Sequence, residues 1–447
     1  MTHIILIKEV VMKHLRNVLL VALLLLVVFS VSAQKKTTVR FLIVEADLPK
    51  DFVDKFMAAN PDINLVREEE DWTKWMADAI AGNAADLQRM GSGTDIAYYE
   101  KRGLLYDMTK LMQGGKIVKM DDIDMLGCST YQYDGANFGK GKWYGLPKDY
   151  NNIGCLTYNK EMFKAAGVAP LSETVPITYY DELYNLGKKL TKKDASGKVQ
   201  VWGFEYHSTA WTPFMVSDMA TSQGLSIYAD PQRSVMNNDP RVRDLWKYWA
   251  RFTVEDISSN VRNPNTAWAG AAFQSDRAAI TQLGYWFGAQ MMSNKGYDTK
   301  YGWAPTPILK KGSPRVTNTL GATGITMYSK TKVAKEAFRV WEWYMGGEYG
   351  IERARTGWGI PPLKSLLKLL PEDNAYNKSR KAIALDDGKY YKPWQFSKYV
   401  TWTQYLASWT ANVDDLVKGT ITMDQFIDKF YAGLNDTFKT AREEVGE

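Results

Sequence analysis

Cysteine and histidine are nearly missing from this chain: two and three, respectively, in 447 residues. His3 and His14 precede an apolar run near the amino terminus, which leaves only His207. One histidine cannot build a zinc site of the usual kind, and neither Cys-x-x-Cys nor His-Glu-x-x-His occurs. Beside a loop, His207 reads as a hydrogen-bonding residue rather than a catalytic one. The absence of Gly-x-Ser-x-Gly excludes the nucleophile elbow of serine hydrolases. Gly91-Ser92-Gly93 lacks both the third glycine of a dinucleotide fingerprint and the lysine of a nucleotide loop, so it reads as a tight turn. Neither charge sign dominates: 56 Lys and Arg are interspersed with 50 Asp and Glu, which gives no nucleic-acid surface. Internal repeats and low-complexity linkers are absent. Hydrolysis by a carboxylate pair stays open, because such pairs leave no local signature.

Long apolar runs are also scarce. The clearest, residues 18–29, follows Lys13 and Arg16 and ends in Val31-Ser32-Ala33, a small-residue cleavage site. It is too short to span a bilayer. Residues 1–33 are therefore expected to be a signal peptide, with Gln34 first in the mature chain and Met12 a more natural start than Met1. No cysteine follows the run, so a lipid anchor is not expected, and a free periplasmic protein is. In an oxidising compartment Cys128 and Cys155 are permitted to bridge; two separate buried thiols are the alternative.

Aromatic residues are plentiful, with 16 Trp and 26 Tyr. Most should fill cores, but several in loops would suit a site that stacks on sugar rings. The length predicts two domains. Residues 39–44 read as a strand, Pro49 opens a helix with Phe52, Val53, Phe56 and Met57 on one face, and residues 63–66 read as a second strand. This β-α-β unit predicts a parallel sheet, whose ligands lie beyond the carboxyl ends of the strands. Residues 99–112 read as one helix notched at Gly103. The chain is organised around residues 139–160: a glycine turn, an extended piece fixed by Pro147, a polar patch from Lys148 to Asn152, and a buried strand. That pattern suits a chain leaving one lobe and entering another past a solvated cleft.

Trp143-Tyr144-Gly145-Leu146-Pro147, then Leu156-Thr157-Tyr158-Asn159-Lys160 continuing to Gly167, then Pro176-Ile177-Thr178-Tyr179-Tyr180-Asp181, stand in a telling order. So do Asn60-Pro61-Asp62-Ile63, Gly103-Leu104-Leu105-Tyr106-Asp107, Gly284-Tyr285-Trp286, and Gly357-Trp358-Gly359-Ile360-Pro361. Over nearly the whole mature chain this resembles the bacterial family 1 extracellular solute-binding proteins, the sugar-binding components of ABC importers. The resemblance implies a two-lobed α/β fold of the type II periplasmic-binding-protein kind, each lobe a mostly parallel sheet flanked by helices, with the ligand cleft between them. It implies one lobe from residues 34–148 and 306–346, the other from 149–305 and 347–447, and a monomer that closes on a sugar or oligosaccharide and presents it to a membrane permease. By position it implies ligand contacts from Glu45, Asp47, Asp71, Trp72, Thr94, Asp95, Tyr150, Asn151, Trp211, Tyr285, Trp286, Gly321, Ala322 and Trp358, with no catalytic residue, cofactor or metal. Two alternatives remain at this point: a secreted carbohydrate-active enzyme with a carboxylate pair, and the same fold holding a phosphorylated or peptide ligand.

Overall fold

The computed structural model describes residues 36–447 except 91–94, 207–211, 232, 319, 322 and 393–395. The leader and His207 lie outside this set, as do Thr94, Trp211 and Ala322 among the predicted site residues. The chain starts with β1 (Thr37–Leu42), α1 (Lys50–Ala59), β2 (Ile63–Glu68), α2 (Trp72–Ala81), β3 (Leu87–Met90) and α3 (Ile96–Lys101). It continues with β4 (Gly145–Pro147), β5 (Tyr150–Asn151), β6 (Leu156–Asn159), α4 (Pro240–Val254), β7 (Ile280–Thr281) and β8 (Tyr301–Ala304). It ends with β9 (Leu320–Gly321), β10 (Gly324–Met327), α5 (Ala334–Gly346), α6 (Glu348–Thr356), α7 (Ala375–Asp387) and α8 (Met423–Glu444), among shorter elements.

The first sheet has the order β2-β1-β3-β10-β4. The β-α-β reading holds: β1 pairs in parallel with β2 and with β3. β10 returns from far along the chain and lies antiparallel to both β3 and β4. Alternating side chains fill two layers, as a sheet covered on both faces requires. Val39, Phe41, Leu87, Ile325 and Met327 join α1, α5 and α6 on one face. Leu42, Met90 and Tyr328 join Trp75, Ile96 and Tyr131 on the other.

The second core is built on a small sheet of order β7-β6-β8. Leu156, Tyr158, Ile280 and Ala304 face a large aromatic core with Trp246, Trp249 and Phe430. Cys155, Tyr301 and Trp303 face the other side. Here the expected mostly parallel arrangement is corrected: β6 runs antiparallel to both neighbours. The reason is topological. β6 brings the chain in from the first sheet, and β8 takes it back out toward β9 and β10. Adjacent inbound and outbound strands must oppose one another, whereas parallel neighbours need a crossover.

Three stretches meet where the cores join. Gly321 pairs with Tyr150 and Leu320 with Asn151 in an antiparallel register, while Tyr150 also bridges Ile360. Tyr150, Tyr285, Ile360, Leu370 and Ala384 form a small core of their own at this junction.

The expected single helix over residues 99–112 is two pieces. Gly103, at φ +66°, ends α3, and Leu105 then bridges Tyr328 before a new helix forms over Thr109–Gln113. Cys128 and Cys155 are both free and buried, so the unbridged alternative holds.

Candidate ligand site at the junction of the two cores

The polar patch between β4 and β6 carries the junction's charge. Lys148 is buried between two carboxylates: its Nζ lies 3.1 Å from Asp47 and 3.1 Å from Asp149. Asp47 also accepts from Arg89 Nε at 2.5 Å, and Arg89 reaches on to Glu70 at 2.6 Å. Asp149 accepts from Arg353 Nη2 at 2.7 Å. Residues from β3, the β4–β5 patch and α6 thus form one network. Burial alone would raise the Asp47 carboxyl, but Lys148, Arg89 and Arg353 outweigh it and hold the carboxyl well below the usual range. Burial pushes Glu70 up against the opposing pull of Arg89. Both buried aspartates are paired with cations, Asp47 with Lys148 and Arg89, and Asp149 with Lys148 and Arg353.

The network reaches the second core through Asn151. Its amide donates to Asp149 Oδ1 at 3.2 Å, and its Oδ1 accepts the Trp286 backbone N–H at 2.9 Å. Trp286 stacks on Trp268, with ring centres 5.8 Å apart and an interplanar angle of 18°. Trp358 leans on Trp286 at 6.1 Å and 57°. All three rings are half-buried, so each is fixed by packing and keeps part of its surface open. A small cavity beside Trp358 is lined by Lys148, Asp149 and Arg353, which ties this wall to the charge network.

Two glycines shape the wall locally. A Cβ on Gly270 would lie 2.1 Å from the Trp268 ring, so glycine lets that ring fold across the following helix. Gly359, at φ +144°, brings its loop against Asp149, where a Cβ would lie 2.4 Å from the aspartate side chain.

The remaining predicted residues separate into groups. Glu45 is exposed and pairs with Arg67 at 3.1 Å. Asp71 caps α2 by accepting the Lys74 N–H at 2.9 Å. Trp72 begins α2, is 36% exposed, and donates through Nε1 to the Arg89 carbonyl at 3.0 Å, beside the network. Asp95 is buried just before α3. Tyr150 packs inside the junction core, and its hydroxyl donates to Asp124 at 2.6 Å. Tyr285 is fully buried under the wall, with Arg380 over its ring at 4.3 Å. Gly321 meets Tyr150 through the backbone.

The structure therefore links buried Asp47 and Asn151 with half-buried Trp286 and Trp358 in one connected cluster. It leaves Glu45 and Asp71 in surface pairing and capping, and Tyr150 and Tyr285 in packing. Sequence reasoning passed over Lys148, Asp149, Arg89, Arg353 and Trp268. Lys148 and Asp149 stood inside the polar patch, whereas nothing local marks Arg89 or Arg353. Among the described residues no group of His, Cys, Asp and Glu is arranged to hold a metal ion, and no helix is long and apolar enough to cross a membrane.

Residues 44–349 match the family of bacterial extracellular solute-binding proteins. No sequence among curated proteins matches the chain. Its fold is similar to the ABC substrate-binding protein of Listeria monocytogenes in complex with cycloalternan, at 18% identity and a TM-score of 0.72, covering 92% of this chain and 98% of that one. It is also similar to the solute-binding protein of Thermotoga lettingae bound with alpha-D-tagatose, at 17% identity and a TM-score of 0.69, covering 90% and 100%. The sugar-binding protein MalE of Xanthomonas citri matches at 16% identity and a TM-score of 0.67, covering 91% and 98%.

Proposed function

Because the chain belongs to the bacterial extracellular solute-binding proteins, we propose that it binds a neutral sugar or oligosaccharide between its two lobes and delivers it to the permease of an ABC importer. The family and fold are those of non-enzymatic binding proteins. The observation that carries the sugar reading is the wall of Trp268, Trp286 and Trp358 beside the chain crossings. Indole rings that keep part of their surface exposed favour the apolar faces of sugar rings. Structures of the same fold carry cycloalternan and alpha-D-tagatose, which supports the ligand class.

The charge network argues for a neutral ligand. Buried Lys148 and half-buried Arg89 and Arg353 already face Asp47, Glu70 and Asp149. A phosphorylated ligand at this surface would have to displace one of those carboxylates.

In this reading one lobe comprises residues 34–148 and 306–346, and the other 149–305 and 347–447, with α6 reaching back to pack on the first core. Closure bends the crossings at β4–β5 and β9–β10. Residues 1–33 direct export, the mature protein works in the periplasm as a monomer, and the permease reads the closed form. Among the remaining predicted contacts, Trp72, Asp95 and Gly321 stay candidates for the ligand, and Thr94, Trp211 and Ala322 lie outside the described residues.

The test is a thermal-shift screen of the mature chain against neutral mono- and oligosaccharides, with phosphorylated sugars and peptides beside them. A ligand at about a hundred times its dissociation constant stabilises the protein by about 2.7 kcal/mol. A shift with one neutral sugar, recovered unchanged, is the expected result. A shift with phosphorylated sugars or peptides alone, or a sugar recovered cleaved, would overturn the reading.

A further inference from the structure

Arg380 on α7 is 1% exposed, and its Nη1 donates to two backbone carbonyls. Nε and Nη2 are buried with no hydrogen-bond partner among the described residues. A buried cation held this way costs folding free energy, which asks what the arrangement accomplishes.

The answer lies in which carbonyls it bonds. Nη1 donates to the Tyr285 carbonyl and to the Gly357 carbonyl, each at 3.4 Å. Tyr285 immediately precedes Trp286, and Gly357 immediately precedes Trp358. One guanidinium nitrogen therefore holds the peptide units that lead into two of the three wall tryptophans. On the Trp286 side the same peptide is fixed at its other end, because its N–H donates to Asn151.

The seat is shaped for this side chain. The guanidinium lies over the Tyr285 ring at 4.3 Å and near Tyr376 at 5.9 Å, where ring faces offset part of its desolvation. Two glycines make room for it. A Cβ on Gly288 would lie 2.2 Å from Arg380 Cδ, and one on Gly357, itself at φ +66°, would lie 2.5 Å from Nη2. A planar, always-charged group with several donors suits two carbonyls from different loops; a lysine ammonium would reach them without the stacking.

The geometry points to Arg380 as a positioning residue for ligand recognition: it sets the spacing and tilt of Trp286 against Trp358, and so the width of sugar face that the wall accepts. This rests on the sugar reading for its consequence but not for its geometry.

The experiment compares Arg380→Met and Arg380→Lys with wild type in three readouts: ligand-free tryptophan emission, affinity for the sugar found in the screen, and melting temperature. Gly288→Ala, which crowds the guanidinium without removing it, serves where Arg380→Met does not fold. Val242→Ala, in the distant aromatic core, is the control for plain destabilisation. Arg380→Met is expected to shift emission to the red and weaken binding at least tenfold, with Arg380→Lys intermediate and Val242→Ala changing only the melting temperature. The emission shift should vanish in a Trp286→Phe, Trp358→Phe background. If Arg380→Met lowers the melting temperature as Val242→Ala does and leaves emission and affinity unchanged, the positioning role is wrong. If wild type binds no sugar while the emission shift persists, the sugar reading fails and the positioning role stands.

Discussion

Lys148 shows how one side chain can serve two elements at once. Its ammonium neutralises Asp47 after β1 and Asp149 in the crossing, and all three groups are buried. Removing one partner from such a cluster leaves a buried charge uncompensated, which is far more costly than losing an exposed pair. Lys148→Met is predicted to destabilise the protein by about 3 kcal/mol, read as a lower denaturant midpoint. Exposed pairs set the contrast: Glu45→Gln, which loses only Arg67, should change stability by less than about 1 kcal/mol. At this scale the sequence was partly legible. The polar patch announced itself as a run of charged and amide residues between apolar strands. Its partners Arg89 and Arg353 did not, because an arginine on a strand or helix looks the same in sequence whether its head meets water or a buried carboxylate.

Among the elements, β4 makes a close backbone approach to β10. Gly145 sits at φ +150°, and a Cβ there would lie 2.1 Å from the Ile325 carbonyl oxygen on β10. Gly145→Ala must therefore push β4 off β10, and it is predicted to cost about 2 kcal/mol or more through overpacking and backbone strain. Equilibrium unfolding checks this, with Gly197→Ala, a positive-φ turn with open space around it, as the milder comparison. The β-α-β start was legible because its apolar spacing and Pro49 act locally. The division of residues 99–112 was not, because it depends on Leu105 finding Tyr328, more than two hundred positions away. Strand direction in the second sheet was hidden for the same reason: it follows from the route of the chain between cores, which no short window contains. Trp268 was overlooked because its stacking on Trp286 depends on Gly270 letting the ring fold across, a relation that neither residue displays alone.

For the whole molecule, the Glu447 side chain links the two cores. Glu447 pairs with Lys101 on α3 at 2.5 Å and with Lys398, beside the aromatic core, at 3.0 Å; its other partner is the Tyr399 hydroxyl. Bonds from Lys101 and Tyr399, followed by Lys398, lower its carboxyl to about 2 from the ordinary 4.5. A depressed value means that folding favours the ionised form. Its stabilisation is complete above pH 4.5 and is lost as pH falls toward about 2. Melting curves between those limits should fall with acid, and Glu447→Gln should flatten part of that slope while lowering stability at neutral pH.

Isothermal titration of the mature chain and its Trp286→Ala variant with the sugar that the screen identifies tests whether the tryptophan wall holds the ligand. Truncating a central aromatic anchor typically costs about 2 kcal/mol or more of binding. Wild type is expected to bind saturably and one-to-one, and Trp286→Ala to lose at least tenfold in affinity while still folded. Equal affinity in both proteins would place the sugar somewhere other than the tryptophan wall.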